Sequence, residues 1–307
     1  MSVAFSPNIV VVGSANTDLV VDVSHIPRPG ETILGGDLAT IPGGKGANQA
    51  VAAARLGGNV RFIARVGDDA YGAAAIEGYR RDGIDTTFVS VTSGVPSGVA
   101  LITVDRTSGQ NAIVVAPGAN AHLSPEDIDR ARSAFEDAAL VVASLEVPIE
   151  TVVRAAERAA ERRIPFLLNP APARPLPPNL LTLTTVFTPN ETEAAQILGI
   201  PPESRSPAEM AVALRDPGIR TVVVTVGRDG AVVADGTETT VVPGIPVTAI
   251  DTVAAGDCFT GALAVRLASG VALLDAVGYA NRAAALKVTR RGAQPGLPTA
   301  AEVEAFG

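Results

Sequence analysis

The sequence predicts an α/β protein with a doubly wound, mostly parallel sheet, flanking helices and a small antiparallel β-sheet. Short apolar runs that end in glycine or a polar residue alternate with helical stretches, which is the βαβ rhythm. Two regions, about 18–40 and 96–115, instead hold alternating apolar residues without a helix between them, and they predict short antiparallel strands, which could be an extra sheet packed on the core. The 307 residues are 47% hydrophobic and 18% charged, so we expect one globular domain over 1–307.

The sheet strands are predicted from nearly continuous apolar runs, because strands buried on both faces lose the polar alternation. These runs span 8–13, 60–66, 140–145, 165–169, 185–188 and 220–226. Helices are predicted where small and apolar residues recur at helical spacing. They span 45–56, 70–82, 149–162, 191–198, 254–268 and 273–289.

Composition excludes several classes of function. A net charge of −8 and a pI near 4.9 argue against nucleic-acid binding, which needs a basic face. No apolar run reaches membrane-spanning length and no signal sequence opens the chain, so we expect a cytoplasmic protein without a membrane partner. The single cysteine, Cys258, excludes an intrachain disulfide and is best interpreted as a packing residue. The only histidines, His25 and His122, leave no plausible zinc site.

The segment 251–262 contains a small-residue turn that opens into an apolar helix, with Asp257 at the helix start. Unpaired N–H groups converge at such a helix end, and the helix dipole adds positive charge there. The N–H groups of Ala255, Gly256 and Asp257 could hold a developing anion, and the Asp257 carboxylate could accept a proton. The alternative is an ordinary aspartate near a helix N-terminus.

The segment 42–57 is a second glycine turn followed by a helix. Its Gly44 lets the backbone approach a ligand, and Lys45 and Asn48 can donate hydrogen bonds to hydroxyls or phosphates. The chain has two lysines, Lys45 and Lys287, against 22 arginines. A lysine in such a chain could mark a site that requires a compact ammonium group, although chance retention is an alternative.

These two segments resemble signatures of the ribokinase (PfkB-type) family of carbohydrate kinases, and further segments extend the resemblance along the chain. They are Gly13-Ser14-Ala15-Asn16-Thr17-Asp18, Asn169-Pro170-Ala171-Pro172-Ala173-Arg174, Thr188-Pro189-Asn190-Glu191-Thr192-Glu193-Ala194, Thr225-Val226-Gly227-Arg228-Asp229-Gly230 and Arg290-Arg291-Gly292-Ala293-Gln294-Pro295. The resemblance implies a ribokinase-like fold in which the strands of about 18–40 and 96–115 form a small antiparallel β lid over the sugar. It also implies ATP-dependent phosphorylation of a sugar, with D-ribose and its 5-hydroxyl expected. The resemblance further implies ATP, Mg²⁺ and K⁺ as cofactors. Because the exposed apolar faces of the lid need covering, we also expect a homodimer in which two lids pack together.

The resemblance assigns roles to individual residues. Asp257 would be the catalytic base, with Ala255 and Gly256 completing the anion hole. The sugar-binding residues would be Asn16, Asp18, Gly44, Lys45, Asn48 and Glu146, together with Asp257. The nucleotide-binding residues would be Asn190, Thr225, Gly227, Gly230, Gly256 and Asn281. Without the resemblance, turn or helix-start roles would be the better interpretation of Asp18 and Glu146.

Two cation sites are also implied. Asn190 and Glu193 would bind Mg²⁺ directly or through water, although their spacing equally predicts a helix capping box, and both can be true. Potassium would lie among mainly backbone oxygens of Asp251, Val253, Lys287, Arg290, Gly292 and Gly296. Gly296 stands where family members often carry a hydroxyl residue, so water could replace one ligand.

Alternatives remain within and outside this family. The substrate could be 2-deoxyribose, fructose, a keto-deoxy sugar acid or a nucleoside. A Rossmann dehydrogenase would need a Gly-x-Gly-x-x-Gly turn after the first strand, which 13–18 does not supply. A non-catalytic sugar-binding regulator would tend to lose Asp257 or the glycines, and both are present.

Overall fold

A computed structural model describes residues 6–306 and contains a nine-stranded sheet in the order β13-β12-β11-β10-β9-β8-β1-β4-β5. Its strands are β1 (Asn8–Val12), β4 (Asn59–Gly67), β5 (Val89–Thr92), β8 (Leu140–Ser144), β9 (Phe166–Asn169), β10 (Val186–Phe187), β11 (Thr221–Thr225), β12 (Gly230–Asp235) and β13 (Glu238–Pro243). The pairs from β5 to β11 are parallel, whereas β12 and β13 extend one edge as antiparallel strands. The predicted doubly wound, mostly parallel sheet is confirmed.

The predicted lid is a separate four-stranded sheet in the order β3-β2-β6-β7. Its strands are β2 (Asn16–Val23), β3 (Leu38–Gly43), β6 (Gly98–Asp105) and β7 (Asn111–Ala116). Each hairpin, β2–β3 and β6–β7, is antiparallel as predicted, but the central β2–β6 pair that joins them is parallel. A parallel pair between distant segments leaves no local turn signal, so sequence patterning did not predict it.

Helices cover both faces of the large sheet. They are α1 (Lys45–Arg55), α2 (Ala70–Arg81), α3 (Pro125–Arg130), α4 (Ile149–Glu161), α5 (Pro178–Leu183), α6 (Glu191–Leu198), α7 (Pro207–Arg215), α8 (Ala255–Ala268), α9 (Leu273–Val288), α10 (Ala293–Gly296) and α11 (Ala300–Ala305). No helix within 6–306 combines the length and apolarity needed to cross a membrane.

Two hydrophobic clusters stabilise these layers, one on each sheet face. Alternate β1 residues divide between them: Ile9 and Val11 pack with α1, α8 and α9, while Val10 and Val12 pack with α4 and α7. All four side chains are fully buried. Residues of α1 and α8 are mostly alanine, glycine and other small residues, which lets the two helices pack closely.

The strand order reverses at β1, which pairs with β4 on one side and β8 on the other. Ligands of open α/β sheets bind outside the carboxyl ends of the strands at such a switch point. The segments after β1, β8, β9, β10 and β11 therefore meet along one edge, and they carry most of the predicted site residues.

Candidate active site

Asp257 lies in the first turn of α8, and only 6% of it is exposed. Its carboxylate accepts hydrogen bonds from Asn48 Nδ2 at 2.9 Å and from Gln49 Nε2 at 3.0 Å, so α1 and α8 meet at this group. Burial raises the pKa of Asp257, while Lys45 and the two amide donors oppose that shift. A buried carboxylate with a raised pKa, fixed by two donors, is suited to accept a proton.

The turn before α8 directs backbone N–H groups toward the same point. Ala254 adopts a left-handed conformation with φ of 59°, which is uncommon for a residue with a Cβ. Among residues 6–306, the N–H groups of Gly256 and Asp257 have no backbone acceptor, whereas the Ala255 N–H donates to the Thr252 carbonyl at 3.2 Å. In this conformation, two of the three predicted anion-hole donors are free.

Lys45 begins α1, and its ammonium group is influenced by several acidic side chains although it forms no ion pair within residues 6–306. Burial alone would lower the pKa of Lys45, but the surrounding carboxylates outweigh that penalty and raise it. These carboxylates belong to Asp257, Glu146, Glu193 and Asp18. The structure thus brings residues from four predicted segments to one ammonium group, which balances part of their negative charge.

Asp18 lies on lid strand β2 beside the α1 turn. Its carboxylate lies against Gly43, where any Cβ would clash with it, and it accepts no hydrogen bond from residues 6–306. Burial, reinforced by Glu146 and Asp257, raises the pKa of Asp18 to about 6. A carboxylate with both oxygens free can accept hydrogen bonds from two neighbouring hydroxyls.

Asn16, on the same strand, is held by a residue that sequence reasoning missed. Asn120 donates from Nδ2 to Asn16 Oδ1 at 2.7 Å and accepts from the Ala15 N–H at 2.8 Å. Asn120 is 1% exposed and lies in a short 3₁₀ helix, Gly118–His122, after β7. Its position just after the second lid segment is the only signal that could have identified it.

Glu146 follows β8 and joins that strand to α1. Its Oε2 accepts from Ser14 Oγ at 2.6 Å and from the Lys45 N–H at 3.0 Å. Gly44, which precedes Lys45, has φ of 89°, and a Cβ there would clash with the Asn16 backbone. Glu146 therefore orients the α1 turn, and Gly44 allows that turn to approach β2.

Two cavities lie on the nucleotide side. The larger has a volume of about 540 Å³, and the smaller, about 190 Å³, contains Lys45, Glu193 and Asp257. They share the lining residues Asn190, Thr225, Thr252, Ala255, Gly256 and Phe259. The small polar cavity thus leads from the carboxylate of Asp257 into the large, more apolar one, as a phosphate chain followed by a nucleoside requires.

Asn190 and Glu193 form the capping box that the sequence offered as an alternative. Asn190 Oδ1 accepts from the Glu193 N–H at 2.8 Å, and Glu193 Oε2 accepts from the Asn190 N–H at 2.9 Å. Burial raises the pKa of Glu193, while Lys45 opposes the shift. No group of three metal-ligating side chains exists within 6–306, so Mg²⁺ here would need ATP phosphates and water as further ligands. Glu193 fits that role because it lines the small polar cavity.

The predicted nucleotide residues Thr225, Gly227, Gly230 and Asn281 all line the large cavity. Gly230 has φ of 103°, and a Cβ there would clash with the Val242 carbonyl, so its glycine is required by the β12–β13 packing. Asn281 donates from Nδ2 to the Val242 and Pro243 carbonyls, both at 3.1 Å. These contacts fix the cavity wall.

The site where the resemblance places potassium contains a side-chain ammonium group, Lys287 Nζ. The resemblance assigned the backbone carbonyl of Lys287 to potassium binding. The Lys287 side chain also reaches this loop, because its Nζ donates to the Asp251 carbonyl at 3.0 Å. The Asp251 carboxylate accepts from the Val253 N–H at 2.9 Å and from the Gly292 N–H at 2.7 Å. Each of the Asp251 oxygens therefore already has a donor. Arg290 and Gly296 lie beside the same loop.

Two further side chains lie near Asp257, and the sequence indicated the role of only one of them. Cys258 is fully buried, and burial raises its pKa to about 12, so it is a packing residue as expected. Gln49 was missed, although it links Asp257 to Asn169 by donating from Nε2 to both, at 3.0 and 3.1 Å. The signal that could have identified Gln49 is its position one residue after Asn48, in a fully buried part of α1.

Comparison with known proteins agrees with this geometry. Residues 6–300 match the pfkB family of carbohydrate kinases. A ribokinase of Haemophilus influenzae is 39% identical over 297 residues (96% of this chain, 97% of the relative), and a deoxyribokinase of Salmonella typhi is 38% identical over 294 residues (95% and 96%).

Solved structures extend the similarity to the fold. An Arabidopsis thaliana ribokinase complexed with ribose and ATP superposes with a TM-score of 0.90 at 32% identity, covering 98% of this chain and 99% of that one. The match is nearly full length and includes both glycine turns and the Asp257 helix start. The chain is therefore a member of the pfkB family of carbohydrate kinases.

Proposed function

We propose that the protein transfers the γ-phosphoryl group of ATP to the 5-hydroxyl of D-ribose. The observation that carries this proposal is the buried Asp257 carboxylate, which lies between the polar residues of β2 and α1 and the two nucleotide-side cavities. A base at that junction reaches both a bound alcohol and a terminal phosphate. The H. influenzae and Arabidopsis relatives support ribose as that alcohol.

In the proposed reaction, Asp257 takes the proton of the ribose 5-hydroxyl as that oxygen bonds to the γ-phosphorus. The bond from that phosphorus to the β,γ-bridging oxygen breaks, and ADP leaves. The free N–H groups of Gly256 and Asp257 stabilise charge on the transferring group. Lys45 adds a fixed positive charge. Bound Mg²⁺ would neutralise phosphate charge, and Glu193 would hold it through water.

Residues of lid strand β2 and of the first turns of α1 would recognise the sugar. Asp18 would accept from two adjacent ribose hydroxyls, and Asn16, fixed by Asn120, would add a polar contact. The Asn48 Oδ1 is buried and lacks a hydrogen-bond partner within 6–306, so it is available to a substrate hydroxyl. Potassium is left out of this proposal because an ammonium group, Lys287 Nζ, contacts the Asp251 carbonyl that was predicted to bind the ion.

A panel assay tests the proposal. ADP release would be measured with ATP, Mg²⁺ and one of ribose, 2-deoxyribose, fructose, a keto-deoxy sugar acid or a nucleoside. Ribose should give the highest kcat/KM. A preference for 2-deoxyribose would make the deoxyribokinase relative the better guide to substrate, and no turnover with any sugar would favour a non-catalytic sugar-binding regulator.

We also propose that residues 6–306 form one domain whose lid pairs with the lid of a second copy. Leu101 and Val114 pair in register on the lid face opposite Asp18, and they are 52% and 65% exposed. An exposed apolar strand face favours association. Light scattering at micromolar concentration should give a dimer mass, and Leu101→Asp should shift it toward monomer; a monomeric parent protein would contradict the pairing.

A further inference from the structure

Lys287 is a buried charge that the proposed reaction does not use. It lies near the end of α9 and is fully buried, at 0% exposure. Burying an ammonium group is costly unless polar groups compensate for its lost hydration. The compensation here is a backbone carbonyl, because Nζ donates to the Asp251 oxygen at 3.0 Å and forms no ion pair within 6–306.

Gly296 provides the space that this side chain occupies. A Cβ at position 296 would lie 3.2 Å from Lys287 Cε and 3.4 Å from the Arg290 carbonyl. A serine or threonine here would therefore crowd the lysine stem, whereas glycine accommodates it. The lysine at 287 and the glycine at 296 are thus structurally coupled.

The loop that Lys287 holds leads directly to the catalytic helix end. From Asp251, three residues reach Ala254, whose left-handed backbone starts α8. The Asp251 carboxylate fixes the same loop through the Val253 and Gly292 N–H groups. The Lys287 contact thus constrains the loop that leads into α8, whose first turn carries the Gly256 and Asp257 N–H groups.

We propose that the Lys287 ammonium group acts as a built-in monovalent cation beneath the Asp251 loop, so that this protein needs no potassium ion for activity. Lys287 is then a positioning residue, since it is not among the residues that line either nucleotide-side cavity. The activity part of this inference rests on the proposed kinase reaction, whereas its thermal-stability part does not.

The test compares the wild-type protein with Lys287→Ala/Gly296→Ser, which removes the ammonium group and supplies a hydroxyl ligand. Activity and Tm would be measured in potassium chloride and in choline chloride at equal ionic strength. The wild-type protein should show the same kcat and Tm in both salts. In choline, the double variant should lose at least about tenfold in kcat through misplacement of the α8 N–H groups. Potassium should restore its kcat and raise its Tm.

Two further variants separate charge from packing. Lys287→Met keeps the stem volume, so it should lose activity without rescue by potassium. Arg291→Ala removes a positive charge from an exposed side chain four residues away and should behave as wild type in both salts.

Potassium stimulation of the wild-type protein by several-fold, or a higher wild-type Tm in potassium, would overturn the inference. So would a double variant that stays fully active in choline. If the double variant does not fold, the wild-type comparison still decides. A wild-type protein without sugar kinase activity would contradict the proposed function, and the Tm comparison would still test the cation.

Discussion

The two lysines of this chain lie in contrasting parts of one site. Lys45 faces four carboxylates at the start of α1, which raise its pKa despite burial. Lys287 faces the Asp251 carbonyl, and burial lowers its pKa even though Asp251 and Cys258 oppose the shift. The first region concentrates four carboxylates around a cation, whereas the second holds a cation against a backbone carbonyl with the Asp251 carboxylate nearby.

This difference indicates that the two lysine side chains have different roles. Beside Asp257, the Lys45 charge acts on reacting groups and on the ionisation of the acidic cluster. Beneath the loop, the Lys287 charge acts on backbone geometry, because its only hydrogen-bond partner within 6–306 is a carbonyl. Changes in the Lys45 region should therefore alter chemistry and pH dependence, and changes near Lys287 should alter salt dependence.

The largest effect is expected from substitution of Asp257, which both lysine regions adjoin. Asp257→Asn keeps the size of the side chain but cannot accept the proton, so kcat should fall by about 10²–10⁴-fold. Steady-state kinetics measure this, with circular dichroism to check folding. Asp275→Asn is the matched control, since Asp275 is exposed at the same position in the first turn of α9. Activity within about threefold of wild type would exclude Asp257 as the base.

Lys45→Met tests whether the two lysines are chemically distinct. Removing the ammonium group from the acidic cluster should lower kcat by about 10²-fold, comparable to the loss of one charge-stabilising donor. Potassium should not rescue this variant, because the proposed cation position lies beneath the Asp251 loop and not at Lys45. Kinetics in potassium and choline chloride measure both points. Rescue by potassium would remove the distinction between the regions.

Substitution of Asp18 tests the acidic region, because it should change the preference between ribose and 2-deoxyribose. A buried acceptor left unpaired by a missing hydroxyl costs about 1–3 kcal/mol, so ribose should be preferred over 2-deoxyribose by at least about tenfold in kcat/KM. Asp18→Ala should reduce kcat/KM for ribose far more than for 2-deoxyribose. Asp22→Ala, an exposed aspartate on the same strand, is the control. Equal use of both sugars by the wild-type protein would contradict the ribose assignment.

The smallest effect is a pH dependence. The pKa of Asp18 is about 6 in the sugar-free protein, so protonation below that pH removes an acceptor for ribose hydroxyls. Between pH 7 and 5.5, kcat/KM for ribose should fall about fourfold from this group. Asp18→Asn should lose that component, while any component from Asp257 persists. An unchanged profile in Asp18→Asn would assign the acidic limb to another group.

The sequence predicted element types well where local signals are strong. Helix α6 has the predicted bounds of 191–198, because Asn190 and Glu193 form a cap that marks its start and Gly199 ends it. Strand β1 follows from an apolar run ending in glycine. Asp257 could likewise be located from sequence, since a small-residue turn before an apolar helix is a local pattern.

What the sequence by itself determined was which residues begin helices and end strands, because backbone sterics, capping and apolar periodicity act over a few neighbouring residues. Only the tertiary structure decided which side chains meet. Gln49 reaches Asp257 across 208 positions, Asn120 reaches Asn16 across 104, and Lys287 reaches Asp251 across 36. Such contacts depend on packing between distant segments, which no local pattern records, and they place a buried ammonium group against the Asp251 carbonyl, a predicted potassium ligand.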